Sequence, residues 1–253
     1  MNGQYPTDPV EVPNPRLVLV NTSHPGNIGA AARAMKNMGL DDLCLVRPRQ
    51  FPDAEATARA SGADDLLAAA RQFDSVQEAI ANCVLVIGAS ARPRALPVPM
   101  LDPRTCAERV ASQPDARRVA ILFGNERSGL SNEELDLCHY LVRIPTNPAY
   151  SSLNVAAAVQ VIGYELRMHA LAGQGAQAEE GDYASVEQVE QFYEHLERTL
   201  VGIEFLDPAN PRHLMRRLRR LFNRVRLDQN EVNILRGILT AVNRKTRSRA
   251  RGN

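Results

Sequence analysis

Four short polar stretches each follow an apolar run in the first part of the chain, and each holds side chains able to bind or react. The first, NTSHPGNIGAAARAMKNMG from Asn21, sets Gly26, Asn27 and Gly29 at a helix entrance, with Arg33 one turn further on. Glycines there suit an anion, because free backbone N–H groups and the positive end of the helix dipole face it together. The spacing is not GxGxxG, and no acidic residue stands at a second strand end to hold a ribose, so a dinucleotide site is disfavoured. The second, GASARPRALP from Gly88, holds Ser90, Arg92 and Arg94. Its Arg-Pro-Arg sets two guanidinium groups on a stiffened segment, which suits a phosphodiester backbone; a solvated loop is the plain alternative. The third, FGNERSGLSNEEL from Phe123, has Gly124 where a ligand could approach the backbone, then Glu126 and Arg127. Glu126 can be read as a catalytic acid or as an acceptor that shapes its own loop. The fourth, IPTNPAYSSLN from Ile144, brings Tyr150, Ser151, Ser152 and Asn154 together. A serine there reads as a helix cap rather than a nucleophile, because no histidine or lysine is expected beside it. No set of residues has the form of a hydrolase triad, a metal site or a Walker loop.

Each stretch follows an apolar run. Strands are expected at Arg16–Val20, Leu43–Val46, 84–88, 119–124 and 140–144. Helices are expected near 29–38, 64–72, 76–82, 103–112 and 131–138, the last opened by a capping box of Ser131 and Glu134. Such alternation implies right-handed βαβ units and a mostly parallel sheet covered on both faces. Ligands of such sheets bind beyond the carboxyl ends of the strands, which is where all four stretches fall. In 155–162 the only polar side chain is Gln160. A helix of that composition, running to Leu171 and capped by Ser151 or Ser152, must be covered on most faces by its sheet or by a second subunit.

Residues 1–15 carry four prolines and read as an extended arm, and 173–184 reads by composition as a linker. Between them, 16–172 forms the α/β domain. Beyond the linker, 185–253 reads as a module of three helices. Ser185 with Gln188 caps the first, Asn210-Pro211 starts the second, and Asp228 with Glu231 caps the third. The second turns Leu214, Leu218, Leu221 and Val225 inward and Arg216, Arg217, Arg219, Arg220 and Arg224 outward. The net charge of +1 hides an asymmetry: 173–211 holds nine acidic residues against one basic, and 212–253 holds thirteen basic against two acidic. Only Lys36 and Lys245 of the 30 basic residues are lysine. Arginine's planar fork favours phosphate and stacking on bases, so an RNA- or DNA-binding face is expected. Four widely spaced cysteines without CxxC point to buried thiols in a reducing compartment, hence a cytoplasmic protein without a structural metal. No apolar run of about 18 residues suggests membrane spanning.

Taken together, the stretches resemble the SPOUT superfamily, in its branch of tRNA and rRNA ribose 2′-O-methyltransferases. The resemblance rests on Asn27, Gly29 and Arg33, on FGNERSGL at 123–130, and on Ile144-Pro145 with Ser152-Leu153-Asn154, and it spans 16 to about 171. With Arg-Pro-Arg at 92–94 and the helical extension, it is closest to the TrmJ type, which acts at position 32 of the tRNA anticodon loop. NPAYS at 147–151 departs from the usual glycine-containing spacer and bears on substrate choice. The resemblance implies a trefoil knot in the C-terminal part of the sheet and a homodimer through it. It implies S-adenosyl-L-methionine held by Ala89, Ser90 and Ala91, by Gly124, and by Ile144 with Ser151, Ser152 and Leu153. Catalysis would fall to Arg33, Asn27, Ser152 and Asn154, and tRNA binding to Arg92, Arg94, Arg127, Arg216, Arg217 and Arg220. Other readings are methylation of another tRNA or rRNA nucleotide, an RNA-binding protein without catalysis, a nicotinamide-dependent oxidoreductase, and a membrane-surface role for 211–226.

Overall fold

The computed structural model describes residues 10–90, 98–172 and 182–250, with side chains described to 246. The chain divides into two compact units, Met1–Glu180 and Gly181–Asn253. The first is built on a seven-stranded parallel sheet in the order β3-β2-β1-β6-β4-β7-β5. The strands are β1 (Arg16–Val20), β2 (Leu43–Val46), β3 (Arg71–Phe73), β4 (Leu85–Ala89), β5 (Met100–Leu101), β6 (Val119–Phe123) and β7 (Tyr140–Val142). Every residue of β1, β2 and β6 is buried, so both faces of the sheet are covered, as continuous apolar strands require. On one face Leu17, Leu19, Leu45, Ile87, Ile121 and Phe123 join one core with residues of the helices. Those helices are α1 (Pro25–Met38), α2 (Ala54–Ala60), α3 (Asp64–Ala69), α5 (Pro103–Ala111) and α7 (Val155–Leu171), packed as a row α3–α2–α1–α7–α5. α4 (Val76–Ile80) packs on β2 and β3, and α6 (Asn132–Asp136) follows β6.

The expected strands and helices are present with shifted ends, and four elements are additional, one of them a single 3-10 turn at Ala116–Arg118. β3 (RQF) and β5 (ML) are short edge strands, and α2 (AEATARA) has no large apolar residue, so none carries a hydrophobic period. What seats α2 is the absence of a side chain at Gly29: a Cβ there would lie 1.9 Å from the Ala56 carbonyl oxygen. Gly29 is therefore a packing residue. Nor is the N-terminus of α1 left open to an anion. The His24 ring accepts from the Gly26 N–H at 3.3 Å, and the Glu55 carboxylate stands 3.7 Å from that ring.

The helix cap expected of Ser151 or Ser152 belongs instead to Asn154, whose Oδ1 accepts from the Ala156 N–H at 2.9 Å. α7 begins later than its serines. It buries Val155, Val159, Ile162, Gly163 and Leu166, while Ala157, Tyr164 and Met168 stay exposed, so one apolar stripe is uncovered by its own chain. At the amino end of the sheet the buried Arg16 donates to the Ala79 carbonyl at 2.6 Å and to Asn82 Oδ1 at 2.7 Å, and pairs with Asp42. The four cysteines are free and buried, and burial pushes the Cys83 thiol up to about 11 and the Cys44 and Cys106 thiols up to about 12.

The second unit holds α8 (Val186–Gly202), α9 (Leu214–Val225) and α10 (Gln229–Ala250) around Ala184, Phe192, Tyr193, Leu227 and Val232. The capping pairs of α8 and α10 form as expected. α9 differs. It starts at Leu214 without a side-chain cap rather than at Asn210-Pro211, and it has no fully buried residue. Leu221 and Val225 are largely exposed, and Phe222 seats the helix, edge-on to Phe192 at 5.0 Å between centroids. Arg219 turns inward, pairing with Glu190 and stacking 4.5 Å over the Tyr193 ring. Some of the charge asymmetry thus serves packing.

Substituting Gly29→Ala should destabilise the first unit by about 1–3 kcal/mol through overpacking. Thermal unfolding checks this, and an unchanged midpoint would remove the packing role.

Candidate functional site

The loops leaving β1, β6 and β7 converge at the carboxyl end of the sheet and are tied by one carboxylate. Glu126 Oε2 accepts from the Ser23 hydroxyl at 2.8 Å and from the Ser23 N–H at 3.1 Å, while Oε1 accepts from Asn27 Nδ2 at 2.7 Å. Asn27 Oδ1 in turn accepts from Asn154 Nδ2 at 2.9 Å. Asn27 is thereby fixed at both ends of its amide, and the first, third and fourth stretches become one network. Partial burial would raise the Glu126 carboxyl, but the hydrogen bonds from Asn27 and Ser23 outweigh it and hold the group below the usual glutamate value. A carboxyl so held is ionised at neutral pH and has no proton to give. Of its two readings, Glu126 shapes loops, and its side-chain donors are Ser23 of the β1 loop and Asn27 of α1.

A second layer lies beneath. Asn125 Nδ2 donates to the Asn21 carbonyl at 2.6 Å, and Asn125 Oδ1 accepts from the Arg127 N–H at 2.9 Å. Glu134, 7% exposed, closes the α6 capping box, accepts from Asn21 Nδ2 at 3.3 Å and pairs with Arg47 at 3.7 Å. The close approach expected of a ligand at Gly124 is made by the chain itself. A Cβ at Gly124 would lie 2.2 Å from the backbone of Gly129 and Leu130, where the loop folds back through the Asn125–Gly129 bridge.

Beside this network lies a cleft of about 820 Å³ of empty space, part of it open to solvent. Ala89, Ser90, Gly124, Ile144, Ser151, Ser152 and Leu153, all expected at a cofactor, line it. Ala91, Arg92 and Arg94 lie outside the described residues. Arg127, expected at RNA, lines the cleft too. Arg33 does not; it is exposed on α1. Of the second-unit arginines, Arg217 is exposed and Arg216 and Arg220 are half-buried. Sequence reading missed Ser23, Asn125 and Thr146. An Asx-turn signal in NER could have found Asn125, but no spacing announces Ser23 as a partner of Glu126. Among the described residues no cluster of His, Cys, Asp or Glu could hold a metal ion, and no helix is long and apolar enough to cross a membrane.

Lost amide protection at Ser23 reports the network. Because the Glu126 carboxyl is held down, Ser23 protection should persist through the ordinary glutamate range, about 4.3, and fall only at lower pH. Glu126→Ala should abolish it at neutral pH. Hydrogen exchange measures both, and protection unchanged in the alanine variant would dissolve the network.

A family model described as the SpoU rRNA methylase family matches residues 14–164, and one described as the TrmJ tRNA methyltransferase C-terminal domain matches 187–251. The tRNA (cytidine/uridine/adenosine-2′-O-)-methyltransferase TrmJ of Pseudomonas aeruginosa is 53% identical over 243 residues, 92% of this chain and 95% of that protein. The tRNA (cytidine/uridine-2′-O-)-methyltransferase TrmJ of Klebsiella pneumoniae is 49% identical over 93% of this chain and 99% of that one. The crystal structure of TrmJ from Z. mobilis ZM4 has a TM-score of 0.81 at 36% identity, covering 90% of this chain and 99% of that chain.

Proposed function

This chain belongs to the SpoU rRNA methylase family, with a TrmJ C-terminal domain, and we propose on that footing that it 2′-O-methylates a tRNA ribose at position 32 of the anticodon loop. The observation that carries the reading is the cleft joined to the Glu126–Asn27–Asn154 network, set in a chain that matches both family models. The two relatives' names share the ribose 2′-oxygen and differ in the bases, so the reaction is defined at the sugar.

The cleft fits S-adenosyl-L-methionine. Phe123, Val142, Leu153 and Val155 offer an apolar wall for a purine, and Ser90, Thr146, Ser151 and Ser152 offer hydroxyls for a ribose and an amino-acid end. When bound, the donor supplies an electrophilic methyl on a sulfonium. The chain's own task is alignment and handling of the proton, since positive charge is lost as the oxygen attacks. Asn27, locked by Glu126 and Asn154, and Ser152, which lines the cleft, orient the reacting groups. A guanidinium is no proton acceptor, so Arg33 is assigned as an orienter and stabiliser of the developing alkoxide, with a substrate phosphate or water taking the proton.

Residues 16–172 are the catalytic domain and 185–253 the tRNA-binding extension; of the segment read as a linker, 173–184, Asp182, Tyr183 and Ala184 belong to the second unit, where the Ala184 N–H donates to the Leu227 carbonyl at 3.0 Å. Arg92, Arg94, Arg127, Arg216, Arg217 and Arg220 hold the tRNA backbone. The C-terminal part of the sheet is knotted, and two copies pair through it in the cytoplasm. Supporting the pairing is the uncovered stripe of α7: Tyr164 is 49% and Met168 37% exposed.

Labelled methyl transfer to unmodified tRNA, with mapping of the modified nucleotide, tests the function. Transfer to the ribose at position 32 is expected, and no transfer to any RNA would leave binding without catalysis. Arg33→Ala and Arg33→Lys should both lose most of the rate; recovery by lysine would exclude a role for the guanidinium fork. Tyr164→Glu should shift sedimentation from dimer to monomer, and an unchanged dimer would move the interface elsewhere.

A further inference from the structure

Arg-Pro-Arg occurs twice in the chain, at 92–94 after β4 and at 47–49 after β2. We propose that Arg47-Pro48-Arg49 is a second contact for the RNA backbone, with Arg49 taking a phosphate of the substrate strand. The inference rests on the reading of tRNA as substrate, and it extends the binding surface to the β2 side of the site.

The segment is built rather than loose. The Arg49 N–H donates to the Thr22 carbonyl at 3.0 Å, one residue before Ser23, which holds Glu126. The Arg47 N–H donates to the Phe73 carbonyl at 3.0 Å, and Arg47 sits in the left-handed region at φ 45°. Pro48 removes one backbone freedom between the two arginines. The Arg47 guanidinium, 56% exposed, is oriented by Glu134, which also fixes Asn21 of the β1 loop. The segment is thus bonded to the β1 loop at Thr22 and, through Glu134, at Asn21.

Charge gives the second line of argument. At the amino ends of the strands, exposed cations are matched by acids: Arg71 by Asp42 at 2.6 Å and Arg117 by Asp41 at 3.2 Å. At the carboxyl end the Arg49 side chain is exposed and, among the described residues, has no acid within ion-pair reach. An unmatched guanidinium held beside a binding loop is disposed to take a phosphate. β2 neighbours β1, which neighbours β6, so the segment lies two strand spacings, roughly 10 Å, from the loop that lines the cleft. A few nucleotides of one RNA strand cover that distance. Arg49 contacts phosphate and not the reacting atoms, so it is a positioning residue.

The test compares the unsubstituted chain with Arg49→Ala, Arg49→Glu and Arg49→Lys in tRNA binding across a salt series and in steady-state methyl transfer. For Arg49→Ala the expected result is tRNA binding weakened about three- to tenfold and a log–log salt slope shallower by about 0.7–0.9. KM for tRNA should rise, while kcat and KM for S-adenosyl-L-methionine stay unchanged. Glutamate should weaken binding further, and lysine should restore most of it. Equal affinity and slope in the alanine and unsubstituted proteins would overturn the inference and leave the substrate reading intact. If the unsubstituted chain ignores tRNA altogether, both fall.

Discussion

One ionised carboxylate holds the candidate site in register. Glu126 takes two donors from Ser23 of the β1 loop and one from Asn27 in the first turn of α1, and through Asn27 it reaches the cap of α7. Each loop alone is a short irregular segment whose ordering costs conformational entropy. Joined at one acceptor, they are ordered together. Hydrogen bonds to a charged group contribute about 1.5–3 kcal/mol each, more than neutral ones, which is why a carboxylate serves better here than an amide. Its depressed protonation is the electrostatic signature of that role and not of acid catalysis.

The network has to be carried by rigid elements, and the sheet provides them through close backbone packing. Gly29 lets α2 rest on α1, and α1 lies against α7, so the elements that bear Asn27 and Asn154 touch along their length. Gly124 lets the β6 loop fold back until Asn125 meets Gly129, aiming Glu126 at the β1 loop. Both glycines fall in stretches where ligand contact was expected. In each case the chain's own backbone takes the space where a Cβ would stand.

Much of this was legible in the sequence. Runs rich in apolar residues at 16–20, 43–46 and 119–123 marked candidate strands, which are buried and parallel, and seven of the eight residues that the family resemblance implied at a cofactor line one cleft, the eighth lying outside the described residues. β3, β5 and α2 were not legible because they are short and polar or small, held by neighbours rather than by their own pattern. The cap of α7 was misassigned by two or three residues because Ser151, Ser152 and Asn154 are all good caps, and only the path of the preceding loop decides among them. The Ser23–Glu126 pair spans 103 residues, and no local rule reaches so far.

The arginine skew shows the same division between composition and position. A count of arginines suggested a nucleic-acid surface, yet Arg16 holds the sheet's amino end, and Arg219 packs on Tyr193 beside Glu190. Guanidinium suits such places because it stays charged, lies flat on rings and satisfies several acceptors at once. What separates an arginine that binds RNA from one that holds the fold is whether an internal acceptor already occupies its fork. By that criterion Arg16 and Arg219 belong to the fold, and a count of arginines overstates how many forks are left for a ligand.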